Sequence, residues 1–129
     1  MTPAPYQLTV DERPTYVCAK AVGDLTAANV LRFLEEAYAA CVKGGRSDLL
    51  LDMQLTGQSL STTTIYNVLS QRVRDGLKLR KIAYVDSTNA VDPGMAHFAE
   101  SVAVNRGVKV HLFHTVALAE EWLLSEPDW

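Results

Sequence analysis

Hydrophobic residues along this chain switch between two periods, and the switches mark its elements. Tyr6, Leu8 and Val10 alternate with Gln7 and Thr9, the period-two pattern of a half-buried strand. Asp11-Glu12-Arg13-Pro14 predicts a turn. Thr15 to Val22, with β-branched, aromatic and small alanine residues, predicts a second strand, antiparallel to the first because so short a turn joins neighbours. Gly23-Asp24 breaks it. From Thr26 to Lys43 the period lengthens: Ala27, Val30, Leu34, Ala37 and Cys41 recur three or four apart, which predicts one buried helical face. Asn29, Arg32 and Glu36 fall on the opposite face, and Gly44-Gly45 stops the helix, since glycine accepts the left-handed conformation there.

Asp48-Leu49-Leu50-Leu51-Asp52-Met53 is a nearly continuous apolar run, as in a parallel strand covered on both faces. A polar loop, Gln54 to Ser59, precedes a predicted helix from Ser61 to Asp75, with Ile65, Val68 or Leu69, and Val73 as its buried line and Gly76 as its stop. Lys81 to Val85 predicts another buried strand, closed by Asp86-Ser87. Asp92-Pro93 is the favoured pair at a helix start. Met95, Phe98, Ala99 and Val102 form that helix's apolar face, and Gly107 ends it. Val108 to Phe113 predicts the last strand. Thr115 caps a final helix in which Leu118 and Trp122 lie four apart on one side, a face that can bury Trp122.

The order is β-β-α-β-α-β-α-β-α. Strands alternating with helices imply right-handed crossovers and a mostly parallel sheet. The expectation is an α/β protein: a single domain over residues 1–129, with a mixed five-stranded sheet, an antiparallel opening pair and about four helices.

Several segments in this order resemble the STAS domain, and the chain looks closest to its SpoIIAA-like branch, related to SEC14. They are Gly23-Asp24-Leu25-Thr26, Leu50-Leu51-Asp52, Ile82-Ala83-Tyr84-Val85-Asp86, and above all Val110-His111-Leu112-Phe113 followed by Ala119-Glu120-Glu121-Trp122-Leu123. The resemblance covers nearly the whole chain and implies a regulatory or protein-binding module without catalysis. In anti-sigma-factor antagonists a regulatory Ser or Thr opens the helix after the third strand. That place holds Leu60-Ser61-Thr62-Thr63, which makes Ser61 and Thr62 candidate phosphorylation sites. The Asp and Gly that flank the family's hydroxyl are missing here. A phosphate at a helix start is physically favourable, but the simpler role for these hydroxyls is capping.

Composition narrows the partners. The 129 residues are 48% hydrophobic and 21% charged, with a net charge of −3, which gives no basic stripe for nucleic acid and no polybasic membrane anchor. No stretch approaches the ~20 apolar residues of a membrane span. Met1-Thr2-Pro3-Ala4-Pro5 lacks the basic and apolar regions of a signal peptide, so the expected location is the cytoplasm. Cys18 and Cys41, one on a strand and one on a helix, form no disulfide framework.

Candidate chemistry is sparse. Asp52 and Asp86 fall at the carboxyl ends of two predicted parallel strands, the edge where open α/β sheets bind ligands. Together they could hold Mg²⁺, or each could simply close a turn. Leu50-Leu51-Asp52-Met53 also resembles the phosphoacceptor strand of a receiver domain. A receiver, however, needs a helix after its first acidic pair and a Lys ending its last strand, where this chain has Thr15-Tyr16-Val17-Cys18 and Phe113-His114. His97 falls off its helix's apolar face. His111 and His114 lack metal-pair spacing. Cys18 reads as core rather than as a nucleophile. No catalytic motif, metal site or cofactor is expected.

Three functions follow. A regulatory module would expose a patch near Ser61, with a kinase among its partners. A carrier of a small apolar ligand, as the SEC14 connection implies, would line a pocket with Phe33, Tyr66, Met95 and Phe98, residues that could equally be ordinary core. A metal-dependent enzyme would use Asp52 and Asp86. Trp129, beyond Pro127, is a candidate anchor either against its own domain or in a homodimer.

Overall fold

The computed structural model describes residues 6–57, 61–76, 79–85 and 93–125. The elements are β1 (Tyr6–Glu12), β2 (Val17–Asp24), α1 (Ala27–Gly44), β3 (Asp48–Thr56), α2 (Thr62–Gly76), β4 (Lys81–Val85), α3 (Pro93–Asn105), β5 (Val110–Phe113) and α4 (Val116–Leu124). The expected order holds. Five strands form one mixed sheet in the order β1-β2-β3-β4-β5, antiparallel between β1 and β2 and parallel elsewhere.

Adding each strand beside the last through a crossover of constant hand puts every crossover helix on the same face. Accordingly α1, α2 and α3 pack side by side over one face of the sheet. Along β3, Leu49, Leu51, Met53 and Leu55 point into that layer, while Leu50 points to the other. In β4, Ile82 and Tyr84 join the first layer, and Ala83 and Val85 the second. This two-sided burial is why β3 reads as a continuous apolar run.

Local signals place α1. Thr26 Oγ1 accepts the Asn29 N–H at 3.1 Å, and Gly45, at φ 67°, closes the other end. Asn29 departs from the expected solvent face: it is buried, and its Nδ2 donates to the Asp24 carbonyl at 2.8 Å. The junction between β2 and α1 leaves that carbonyl in need of a donor, and the amide side chain supplies it. Two strands are also longer than their patterns suggested. β1 continues through Asp11 and Glu12, opposite Cys18 and Val17, so the turn begins at Arg13, whose N–H bonds Tyr16 O at 2.8 Å. β3 runs on to Thr56, paired with Asp24.

The second face is covered by α4, which sits over β3, β4 and β5. Its buried side is Ala119 and Leu123, and Leu118 is 52% exposed. Trp122 is half-buried at the edge of that contact. Alanine at 119 lets the helix settle closely on Leu50, Ala83 and Val85, which rotates Leu118 outward. Nine residues are too few for a helix to hold alone in water, so its attachment matters. Lys81 opens β4 with 3% exposure, and its Nζ donates to Trp122 O at 2.8 Å, Ser125 O at 2.9 Å and Ser125 Oγ at 3.3 Å. All three ammonium protons have acceptors, and a cation meets the carbonyl end of the helix dipole. Beside it, buried Asp48 at the start of β3 takes a forked contact from Arg80, with Nε donating at 2.9 Å.

Replacing Lys81 by Met keeps an apolar stem but takes the ammonium donor from Ser125 O and one of three donors from Trp122 O, which keeps Ser125 N–H and Oγ. The expected cost is about 2–4 kcal/mol, measured by urea unfolding, with α4 amides losing hydrogen-exchange protection before those of α1. Unchanged protection in α4 would show that the clamp does not hold the helix.

Candidate functional site

Asp52 is where the sequence placed chemistry, and the longer β3 changes its setting. It lies inside the strand, between Lys20 of β2 and Val85 of β4, and is 6% exposed. Its carboxylate oxygens accept from Gln54 Nε2 at 3.3 and 3.4 Å. Asp86, its proposed companion, lies outside the described residues. Among the described residues no three His, Cys, Asp or Glu side chains are grouped to hold a metal ion. Cys18, half-buried on the same sheet face, has its thiol pKa raised by burial first and the Asp52 charge second. That is opposite to what a nucleophilic cysteine requires. Cys41, fully buried in α1, is pushed up to about 11 by burial and then by Asp48.

Nearby, Tyr16 donates its hydroxyl to Glu120 of α4, a second polar tie between the sheet and that helix. Burial first, and this bond next, raise the Tyr16 pKa to about 12. Tyr6, with Arg32 stacked 4.6 Å over its ring, is likewise raised to about 12 by burial and then by Glu36. At the far edge of the sheet, Glu100 accepts the Leu112 N–H at 2.6 Å, which occupies a donor that an open strand edge would otherwise offer to another chain.

Ser61 is exposed, and its Oγ accepts the Thr64 N–H at 3.1 Å and pairs with Thr64 Oγ1 at 2.8 Å. It therefore caps α2. The Thr62 side chain lies outside the described residues.

Between the sheet and α1, α2 and α3 is an apolar cavity of about 100 Å³. Phe33 is on its wall, with Val68, Leu69, Ala99 and Ala103 from the neighbouring helices. Two other residues expected there, Tyr66 and Phe98, are not on that wall. Tyr66 is 46% exposed, with Arg106 stacked 4.6 Å over its ring and bonded to its hydroxyl. Phe98 is half-buried on α3, outside that wall. The Met95 side chain and Trp129 lie outside the described residues. The wall is thus made mostly of aliphatic side chains that helical spacing marks only as core.

The strand order, the helix layers and the closing α4 can be compared with known proteins. No family model matches the chain, and no curated protein matches it. Among solved structures it is similar to an uncharacterised protein of the DUF3478 family, with a SpoIIAA-like fold, from Shewanella loihica PV-4. The two share 17% identity over 95% of this chain and 97% of that chain, with a TM-score of 0.54. The fold is SpoIIAA-like. This is the STAS-type architecture that the segments around Gly23-Asp24, Leu50-Leu51-Asp52 and the Ala119–Leu123 run had implied. At such identity the likeness concerns the fold, and activity has to be argued from the side chains. No helix among the described residues is long and apolar enough to cross a membrane.

The thiols offer a direct test. Cys18 should react with Ellman's reagent at pH 8 more slowly than a free cysteine peptide, and Cys41 only as the protein unfolds. Because the folded Cys41 pKa lies above its ordinary 9.0, its contribution to stability is complete below pH 9 and is lost as pH rises through about 11. Urea midpoints measured across that window should fall for the parent and fall less for Cys41→Ala.

Proposed function

We propose that this chain is a non-catalytic, STAS-like protein-binding module whose recognition surface is the outer face of α4. The observation that carries the reading is the exposure of Leu118 and Leu124, at 52% and 60%, on a helix whose inner face is fixed to the sheet. Val116 is also exposed, at 37%, though two positions before Leu118 it lies on another side of the helix. A helix presented rigidly avoids part of the ordering cost of binding. The chain's buried polar groups support the reading from the other side. Asp48, Lys81, Tyr16 and Asn29 are all engaged in holding elements together, and a Cys18 thiol of raised pKa makes a poor nucleophile.

The apolar cavity favours a second reading, a binder of small apolar molecules. Its size decides the class of guest. About 100 Å³ is below the roughly 150 Å³ that holds benzene and far below the roughly 300–1,000 Å³ of drug-sized sites. A lipid carrier would need the helices to part, so the protein-binding reading stands first.

The double variant Leu118→Lys, Leu124→Lys alters two exposed positions, each expected to change stability by no more than about 0.5 kcal/mol. Partners recovered with the parent protein by cross-linking in its own cells should be lost with this variant, whereas Val42→Lys on α1 should retain them. Equal recovery by the parent and the double variant would remove α4 from recognition.

A further inference from the structure

The two edges of the sheet are finished differently. β5 is four residues long, and Glu100 occupies its Leu112 N–H. β1 runs for seven residues, Tyr6 to Glu12, in unbroken register with β2, and among the described residues no strand pairs with its outer side. It holds no proline, lysine or bulge, the devices that keep an edge from pairing. Its charges, Asp11 and Glu12, are gathered at one end.

Hydrogen-bond alternation shows what that edge offers. Arg13 N–H donates to Tyr16 O at 2.8 Å. Bonded and non-bonded pairs alternate along an antiparallel ladder, so Gln7, Thr9 and Asp11 bond β2, and the N–H and C=O groups of Leu8, Val10 and Glu12 point outward. The parallel side agrees. Leu25, which continues the alternation of Ala19 and Ala21, donates to Thr56 O at 2.7 Å, so the residues between them are the ones that bond β1. The side chains of Leu8 and Val10 share the helix-covered face with Ala21 and Ala19, their partners on β2. Leu8 is half-buried there and Val10 is 41% exposed, so the apolar layer runs out to the open edge.

We propose that two copies of this chain pair through β1, antiparallel about a two-fold axis at Thr9, which joins their sheets into one. Leu8 and Val10 of one copy exchange backbone bonds with Val10 and Leu8 of the other, and the four side chains meet on the helix-covered face. Charge selects a second copy and this register. The two Asp11-Glu12 pairs lie at opposite ends of the joined strands and avoid each other. Glu12 falls opposite the second copy's Tyr6, over whose ring Arg32 is held at 4.6 Å. Carboxylate therefore meets guanidinium twice, once at each end, as two-fold symmetry requires. Moving the axis to Leu8 carries Glu12 past Tyr6, and moving it to Val10 sets Glu12 opposite Leu8. The pairing leaves α4 uncovered, since that helix sits over β3, β4 and β5 on the other face.

Sedimentation equilibrium of the full chain should show monomer and dimer in exchange. Val10→Lys should weaken the dimer about tenfold or more, because lysine on an edge opposes pairing. Val10 is 41% exposed, so this variant should keep the parent's melting temperature in dilute solution. Leu118→Lys on α4 should dimerise like the parent. Single cysteines in a Cys18→Ala background read the register. Thr9→Cys should form a symmetric disulfide with oxidised glutathione, its two Cα atoms about 4.5 Å apart across the axis. Gln7→Cys, on the same face of the strand, should not. The proposal is overturned if the chain stays monomeric up to about 1 mM, if Val10→Lys dimerises unchanged, if Leu118→Lys weakens the dimer as much, or if Thr9→Cys cross-links no faster than Gln7→Cys.

Discussion

One ammonium group holds the second face of the sheet closed. A sheet built strand beside strand commits its crossover helices to one side, and here α1, α2 and α3 are all there. The other side of β3, β4 and β5 still carries Leu50, Ala83 and Val85, which must be kept from water. The nine-residue helix α4 does this with two fully buried side chains, so its position depends on polar ties. Lys81 reaches from the first residue of β4 to the last carbonyls of that helix, and Tyr16 reaches Glu120 from the sheet. Without those ties the apolar floor beneath would have only a weakly held cover.

The same device shapes the surfaces left for function. Fixing Ala119 and Leu123 inward turns Leu118 and Leu124 outward, so the rigidity of the helix and the exposure of its apolar face have one cause. Drawing the end of α4 onto Lys81 also brings Trp122 beside the starts of β4 and β5, where it forms a wall of a groove. The region that convention would search first, the carboxyl edge of the sheet near Asp52, is different. There the carboxylate is enclosed within a longer strand and contacts an amide.

Much of this architecture was legible in the chain, because it rests on local rules. Thr26 and Thr115 cap helices through their own neighbours' N–H groups, Gly45 stops α1 through its φ of 67°, and β3 announces its two-sided burial as an apolar run. What escaped involves partners far apart in sequence. Lys81 bonds residues 41 and 44 positions away, and Asp48 is joined to Arg80 across 32. A lysine or aspartate at a strand boundary looks like a solvated end residue, and no local pattern reveals such a pairing. The only available sign was the placement of Lys81 directly against Ile82-Ala83 in a strand buried on both faces.

The α4 helix shows where the division falls. Its sequence, Val116-Ala117-Leu118-Ala119-Glu120-Glu121-Trp122-Leu123-Leu124, is apolar on nearly every side, so periodicity established a helix there but could not choose which face is buried. The choice came from how closely Ala119 approaches the sheet and from the pull of Lys81 on the last carbonyls. The sequence by itself determined the elements, their order and hence a mostly parallel sheet, because caps, glycine stops and hydrophobic period act over a few residues. The tertiary structure decided which face of α4 is free, which charges are enclosed and where a groove opens, because those depend on distant groups meeting across the fold.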